Sequence, residues 1–246
     1  MSHMTRSTLF ALLLAGLLVA CAAPAPTSAP APTTQPEPTQ PAPVSTSVPV
    51  IPGEQVVIPS GEGNEMISAT VTGNGEVSVI LANTSGYDSL KWLPLIDVLK
   101  NNENLRMITF AYRNEDGTTV EDTHAVIDYL RAEGIEKIIC IGGGTYGTNA
   151  CAAMKAEPEI IGMVLFPSFN ISAIEATFPK LFLTGETDPI ADAVSLKRTY
   201  DQSAEPKAFK SYAADRHAAG LFTHPTVGPQ LLADITDFIN EVISSQ

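Results

Sequence analysis

From Gly53 onward, short apolar runs alternate with segments in which apolar residues recur at helical spacing, and this alternation limits the possible folds most. Strand-like runs lie at 55–58, 66–72, 77–82, 105–111, 137–141, 160–166, 180–184 and 208–212. Helical spacing is found at 90–99, 120–130, 147–155, 192–202 and 229–243. The alternation predicts an α/β fold, a mostly parallel sheet of about eight strands with helices on both faces and an antiparallel edge at the first two strands.

The first twenty residues have the features of a targeting segment. Arg6 precedes an apolar run at 9–20 that is too short for a typical membrane-spanning helix. The run ends in Leu-Val-Ala-Cys at 18–21, which resembles the lipobox of bacterial lipoproteins. The resemblance implies that Cys21 is lipidated and holds an extracytoplasmic protein on a membrane of the bacterial cell envelope. The alternative is an ordinary secretory signal in which the cysteine has no role.

Residues 21–52 are predicted to be a tether between the anchor and the folded domain at 53–246. Residues 22–52 contain ten of the nineteen prolines and a single charged residue, Glu37. Such a composition buries no core and favours extended conformations. The remaining chain is long enough for one sizeable core.

The net charge of −13 limits the classes of partner. Binding to nucleic acid or to anionic head groups needs clustered lysine and arginine, which this balance disfavours. We therefore expect a small-molecule ligand, no nucleic acid, and membrane contact through Cys21 alone. No spacing of cysteine and histidine is typical of a metal site, and we expect no cofactor.

Cys140 and Cys151 are predicted to lie on a buried strand and on the helix that follows it. In an exported domain the two can form a disulfide. The favoured interpretation is two buried thiols that pack as small apolar side chains.

Residues 142–147, Gly-Gly-Gly-Thr-Tyr-Gly, follow the apolar run at 137–141 and have the outline of a G-x-S-x-G nucleophile elbow. Thr145 stands at the serine position. The elbow nucleophile occupies a strained turn with positive φ, which is costly for a β-branched residue. A base can nevertheless activate a threonine hydroxyl. If the frame shifts by one residue, Gly144 takes the position and no side-chain nucleophile remains.

Two further polar loops follow predicted strands, one with Asp188 after 180–184 and one with His217 after 208–212. The carboxyl ends of parallel strands meet at one edge of a sheet, so these loops are expected near the elbow. The order nucleophile, acid, histidine is that of the α/β-hydrolase triad. Over residues 75–244 the chain resembles the α/β-hydrolase superfamily, and within it the compact dienelactone-hydrolase-like bacterial members.

The resemblance implies a role for each site residue. Asp188 would orient His217, and His217 would act as general base for Thr145. The backbone N–H groups of Thr84 and Tyr146 would form the oxyanion hole. The short connection at 167–178 leaves no room for a large lid.

Other interpretations of single residues stay open at this point. Asp188 would otherwise cap the helix that starts near Ala191, and His217 would lie in a surface loop. Trp92 is expected to pack a helix on the sheet. The alternative base is His224, and the alternative nucleophiles are Ser85 and Ser168. His124 lies in a helical stretch and is expected to be solvated.

The sequence thus leads to competing hypotheses of function. The first is hydrolysis of a small ester or thioester through a Thr145–His217–Asp188 triad. The alternative is a catalytically inactive domain that binds a ligand or protein partner in the same cleft. A spacer in the envelope is a third. The glycines of 142–147 also match a dinucleotide fingerprint, but the motif follows several strands and lacks the acidic residue about 20 positions on.

Overall fold

All eight predicted strands form, in one sheet of order β1-β2-β4-β3-β5-β6-β7-β8. The computed structural model describes residues 49–61, 65–83, 89–114, 117–169 and 171–246, so Cys21, Thr84, Ser85, the predicted targeting segment and most of the tether lie outside the described residues. The strands are β1 Glu54–Pro59, β2 Met66–Gly73, β3 Val77–Ala82, β4 Leu105–Phe110, β5 Lys137–Gly142, β6 Ile160–Leu165, β7 Lys180–Gly185 and β8 Lys207–Tyr212.

Strand β2 runs antiparallel to both β1 and β4, and all other neighbours pair in parallel. The predicted antiparallel edge is therefore confirmed. The parallel part puts the carboxyl ends of β5, β7 and β8 on one edge of the sheet, where polar loops follow.

Within the described ranges, five α-helices cover the sheet: α1 Leu93–Leu99, α2 Thr119–Ala132, α3 Gly144–Ala153, α4 Ala193–Gln202 and α5 Val227–Ser244. Short 3₁₀ turns occur at Ser89–Trp92, Met154–Ala156 and Ala218–Thr223. Two helices begin three residues away from the predicted position: α1 at Leu93 rather than at residue 90, and α3 at Gly144 rather than at residue 147. The first turn of α3 follows β5 after a single extended residue, Gly143.

None of the helices in the described part of the chain is both long and apolar enough to cross a bilayer.

The core consists of two layers, one on each face of the sheet. Along β3, Val79 and Leu81 point to one face and Ile80 and Ala82 to the other, as the period of a strand requires. Helices α1 and α5 pack on the first face, and α2, α3 and α4 on the second. Both faces are thus covered, which explains why β3 is buried at every position.

Cys140 and Cys151 form a disulfide, so the favoured interpretation of two free thiols was wrong. Helix α3 packs against the strand from which it emerges and brings the two Cα atoms to 5.7 Å, within the usual range for a disulfide. Sequence spacing does not reveal this approach, because it depends on how α3 turns back over β5.

The connection between β6 and β7, residues 166–179, contains no helix among its described residues. The expectation that the fold carries no large lid is confirmed. The carboxyl edge of the sheet is therefore not covered by an inserted domain at this point.

Candidate functional site

The turn between β5 and α3 has its left-handed backbone position at Gly144, where φ is +63°. Gly143 before it is extended, with φ −89° and ψ 116°. A residue with a Cβ atom is strained at positive φ, and glycine is not. The strained position that defines an elbow is thus occupied by a glycine.

Two flanking glycines let α3 start this close to the sheet. A Cβ atom on Gly142 would lie 2.5 Å from the Cα atom of Thr148. A Cβ atom on Gly147 would lie 2.2 Å from the carbonyl oxygen of Ala82 on β3. Real Cβ atoms do not approach backbone so closely, so these positions require glycine for close packing.

Thr145 lies inside the first turn of α3, half-buried and with helical backbone. The expectation that Thr145 occupies the strained position is wrong. The structure corresponds to the frame shifted by one residue, in which Gly144 takes that position. The reason is steric, since a β-branched residue is among the least suited to positive φ. No hydrogen bond among the described residues joins the Thr145 hydroxyl to His217. The catalytic role of Thr145 stays a prediction.

Thr148 ties the turn to the next strand, a role that the sequence analysis missed. Its hydroxyl oxygen lies 2.6 Å from the carbonyl oxygen of Gly142 and 3.0 Å from that of Phe166. The N–H of Phe166 also donates to Gly142, at 3.2 Å. The end of β5 and the loop after β6 are therefore fixed to each other.

Asp188 and His217 form a hydrogen-bonded pair in the structure. His217 Nδ1 lies 2.8 Å from Oδ2 and 3.1 Å from Oδ1 of Asp188. The aspartate side chain is fully buried and that of His217 is 8% exposed. The interpretation of His217 as an ordinary surface-loop residue is therefore wrong.

Asp188 also accepts hydrogen bonds from the N–H groups of Ile190, at 2.8 Å, and Ala191, at 3.0 Å. Burial works to raise the pKa of Asp188, but the hydrogen bonds from His217, Ala191 and Ile190 outweigh it and hold the pKa below its usual value. The carboxylate is thus ionised in the folded protein at neutral pH. The cap of α4 is a different residue, Asp192, whose side chain accepts from the N–H of Val194.

The loops that carry the pair are bonded to each other. The N–H of Glu186 donates to Tyr212 and that of Thr187 donates to Ala214, at 2.8 and 3.2 Å. A Cβ atom on Gly185 would lie 2.8 Å from the carbonyl oxygen of Ala214. This close approach aligns the loop after β7 with the loop after β8.

Ala218, directly after His217, has φ +44° and a fully buried side chain. A left-handed conformation is strained for alanine and persists only where the surroundings enforce it. The turn at 218 sets the direction in which the chain leaves His217. The sequence offers no signal for this strain, because alanine gives none.

The rival groups have other partners. His224 Nδ1 faces the N–H groups of Val227 and Thr226, at 3.2 and 3.4 Å, at the start of α5. Ser168 is buried and its hydroxyl lies 2.7 Å from Asn149 Oδ1. His124 lies half-exposed on α2, 3.4 Å from a Glu157 carboxylate oxygen. None of the three hydrogen bonds with the Asp188–His217 pair in the described chain.

Trp92 packs against the sheet, as predicted. It is 1% exposed, its ring centroid lies 5.7 Å from that of Phe222, and its Nε1 donates to Asn83 at 3.0 Å. Asn83 is fully buried and its amide also donates to Ser89 and to the carbonyl of Phe110. Asn83 therefore supports the structure beneath the site rather than lining a cleft.

An open, mainly apolar groove of about 490 Å³ lies beside the histidine loop. Its wall includes Leu93 and Pro94 of α1, and Ala219 and Thr223 from the turn after His217. A groove of this size is in the range that small molecules occupy.

Comparison with protein-family models and with curated proteins finds no match. Comparison with solved structures finds esterases. An esterase from Pyrococcus furiosus has a TM-score of 0.64 at 14% identity, over 77% of this chain and 90% of that one. An esterase from Thermogutta terrifontis has a TM-score of 0.59 at 14% identity, over 77% of this chain and 99% of that one. A lidless α/β serine hydrolase from Xanthomonas campestris has a TM-score of 0.57 at 14% identity, over 80% and 97%.

The chain has the α/β-hydrolase fold. Identities of this size show the fold alone, so the membership of the dienelactone-hydrolase-like group stays a prediction. A shared fold does not determine function, which depends on the residues of the site.

Proposed function

We propose that the domain hydrolyses a small ester or thioester with His217 as general base and Asp188 as the residue that orients it. The single observation that carries the proposal is the Asp188–His217 hydrogen bond of 2.8 Å at the carboxyl edge of the sheet. An ionised carboxylate only accepts hydrogen bonds, so Nδ1 of His217 donates to it. The Nε2 atom then carries the lone pair and can take a proton from a nucleophile.

The surroundings support a small substrate. The groove beside Ala219 is mainly apolar and open, and it adjoins the loop that carries His217 without including His217 in its lining. Its size suits a small ligand. The expectation of no cofactor belongs to the same proposal, because hydrolysis of this type needs only water and the protein's own groups.

In its narrow form the proposal is a Thr145–His217–Asp188 triad. It requires the Thr145 hydroxyl to come within hydrogen-bond reach of His217 Nε2. Thr145 lies next to the elbow apex and is partly accessible, which favours this form. The helical backbone of Thr145 counts against it.

We also propose that the domain works outside the cytoplasm of a bacterial cell, tethered to a membrane through lipidated Cys21. The disulfide between Cys140 and Cys151 supports export, because disulfides persist mainly in oxidising compartments.

A second candidate function is ligand or protein binding without catalysis. The observation that favours it is Gly144 at the apex, where a hydrolase would carry its nucleophile. In this case the Asp188–His217 pair would serve recognition only.

Turnover of short p-nitrophenyl esters by the full chain tests these proposals. Replacement of the base, His217→Ala, is expected to lower kcat by about a thousandfold or more. The matched control is His124→Ala, which removes a half-exposed histidine from α2. Equal turnover in wild type and His217→Ala would contradict hydrolysis by this pair and favour the binding function. A loss in Thr145→Ala as large as in His217→Ala would establish the narrow form.

A further inference from the structure

We infer that the nucleophile at this site is a water molecule, held over Gly144 where other hydrolases place a side-chain hydroxyl. The inference rests on the proposed function, since it needs His217 to act as a base. It predicts hydrolysis in one step, without an acyl-enzyme.

The turn between β5 and α3 has no side chain at its left-handed position. The strained position that projects a nucleophile into an elbow cleft falls at Gly144, with φ +63°, and glycine leaves that position without a side chain. Thr145 is one residue further along the chain, inside the first turn of α3, so it does not occupy the left-handed position. Its hydroxyl makes no hydrogen bond with His217 among the described residues.

Among the residues that the structure describes, the ring of His217 is held by Asp188 on one side only. Its side chain is more than nine-tenths buried, and Nδ1 is engaged by Asp188. No hydrogen-bond partner of Nε2 occurs in the described ranges, so this atom presents an unused lone pair. An imidazole fixed in this tautomer needs a proton donor, and water is the donor available in a cleft without a lid.

The first turn of α3 provides backbone N–H donors beside Gly144. The N–H groups in the first turn of a helix have no partner within the helix. The donor of an oxyanion hole is the residue after the apex, which in this frame is Thr145 rather than the predicted Tyr146. Its backbone N–H, together with the positive end of the helix dipole, stabilises a developing oxyanion. The predicted donor Thr84 lies outside the described residues.

The reaction balances without any further reagent. The water oxygen bonds to the carbonyl carbon while a water proton passes to His217 Nε2. The carbonyl π pair moves to oxygen, where the N–H of Thr145 donates to it. The electron pair on the oxyanion then re-forms the carbonyl as the C–O or C–S bond breaks. The pair of the broken bond leaves with the alcohol or thiol, and His217 returns the proton to that group. The products are a carboxylic acid and an alcohol or thiol.

The test uses p-nitrophenyl acetate and the full chain, with acid quench and mass measurement of the intact protein. Wild type is expected to turn over without a burst and without an acetylated species. Gly144→Ser is expected to release about one equivalent of p-nitrophenol in a burst and to carry the acetyl group at position 144. The matched control Gly144→Ala fills the same place without a hydroxyl, and its turnover is expected to fall by about tenfold or more.

The outcomes distinguish failure of the water nucleophile from failure of the proposed hydrolysis. The water nucleophile is overturned if the wild-type protein becomes acetylated at Thr145, or if Gly144→Ala turns over as fast as wild type. Either result leaves His217-dependent hydrolysis standing. If wild type shows no turnover, or turnover equal to that of His217→Ala, the proposed function itself is overturned. The wild-type mass measurement stays decisive if the variants at position 144 do not fold.

Discussion

At the scale of single residues, the Asp188 carboxylate does two things at once. It fixes the ring of His217, and it closes the turn that follows β7 by accepting from the N–H groups of Ile190 and Ala191. The hydrogen bonds from His217 and from the two backbone N–H groups all stabilise the ionised form of the Asp188 carboxyl group. The stability of this turn and the orientation of His217 therefore depend on the same carboxylate.

This coupling predicts a pH dependence of stability. Because the folded-state pKa of Asp188 is lowered, its stabilisation is fully present above the unfolded-state value of about 3.9 and is lost as pH falls through the folded-state value. Asp188→Asn removes this contribution, so the free energy of unfolding should fall less steeply below about pH 4 than in wild type. Urea unfolding at a series of pH values measures it.

The matched control is Asp237→Asn, an exposed carboxylate on α5 without a hydrogen bond or ion pair within the described chain. It should keep the wild-type slope. A slope in Asp188→Asn equal to that of wild type would show that the carboxylate does not titrate as the structure indicates.

At the scale of elements, the position of α3 determines where the turn after β5 lies. The helix starts directly at the turn, with Gly147 against the backbone of β3 and Cys151 bonded to β5. The first contact limits side-chain size, and the second limits how far α3 can move from the strand. Together they hold the first turn of α3 at the carboxyl edge.

Gly147→Ala should destabilise the domain, because the added Cβ atom meets the Ala82 carbonyl oxygen at 2.2 Å. We expect a loss of about 1–3 kcal/mol in the free energy of unfolding, as for other overpacked sites. Gly117→Ala is the control, since nothing lies within 4 Å of its Cβ position. Equal stability of the two variants would mean that α3 does not approach β3 as described.

Removal of the disulfide should also cost stability. The loop that it closes spans eleven positions, for which loop entropy gives about 3 kcal/mol. The double variant Cys140→Ala/Cys151→Ala should unfold at correspondingly lower urea concentration. Reductant should lower the stability of wild type and leave that of the double variant unchanged. An identical unfolding curve of wild type with and without reductant would show that the thiols are free.

At the scale of the whole molecule, the sheet divides the domain into two packed layers and leaves the polar loops at one edge. The tether at 21–52 precedes this domain in the sequence, and it is rich in proline and poor in charge. With a net charge of −13 the protein has little electrostatic attraction to anionic lipid. Membrane association is therefore predicted to depend on the lipid at Cys21.

Cys21→Ser should move the protein from the membrane fraction to the soluble exported fraction, since the polar domain provides no second anchor of its own in this proposal. Fractionation of cells that express each form, with metabolic labelling by a fatty acid, measures it. Retention of the variant in the membrane fraction would exclude Cys21 as the anchor.

The sequence by itself determined the fold class, the eight strands, the antiparallel edge and the pairing of Asp188 with His217. Each follows from local patterns, because apolar periodicity defines strands and helices and because parallel strands bring their carboxyl ends to one edge. Residues after β7 and β8 therefore had to meet.

Only the tertiary structure decided which residue of 142–147 stands at the apex and how Cys140 and Cys151 are joined. The motif itself favours Thr145, because Gly143 and Gly147 flank it as in G-x-S-x-G, whereas a frame that starts at Gly142 ends at Tyr146. The outcome depends on where α3 begins against β3. The structure places the left-handed position at Gly144 because glycine tolerates it and threonine does not. The disulfide likewise depends on the packing of α3 over β5, which no spacing in the sequence reveals.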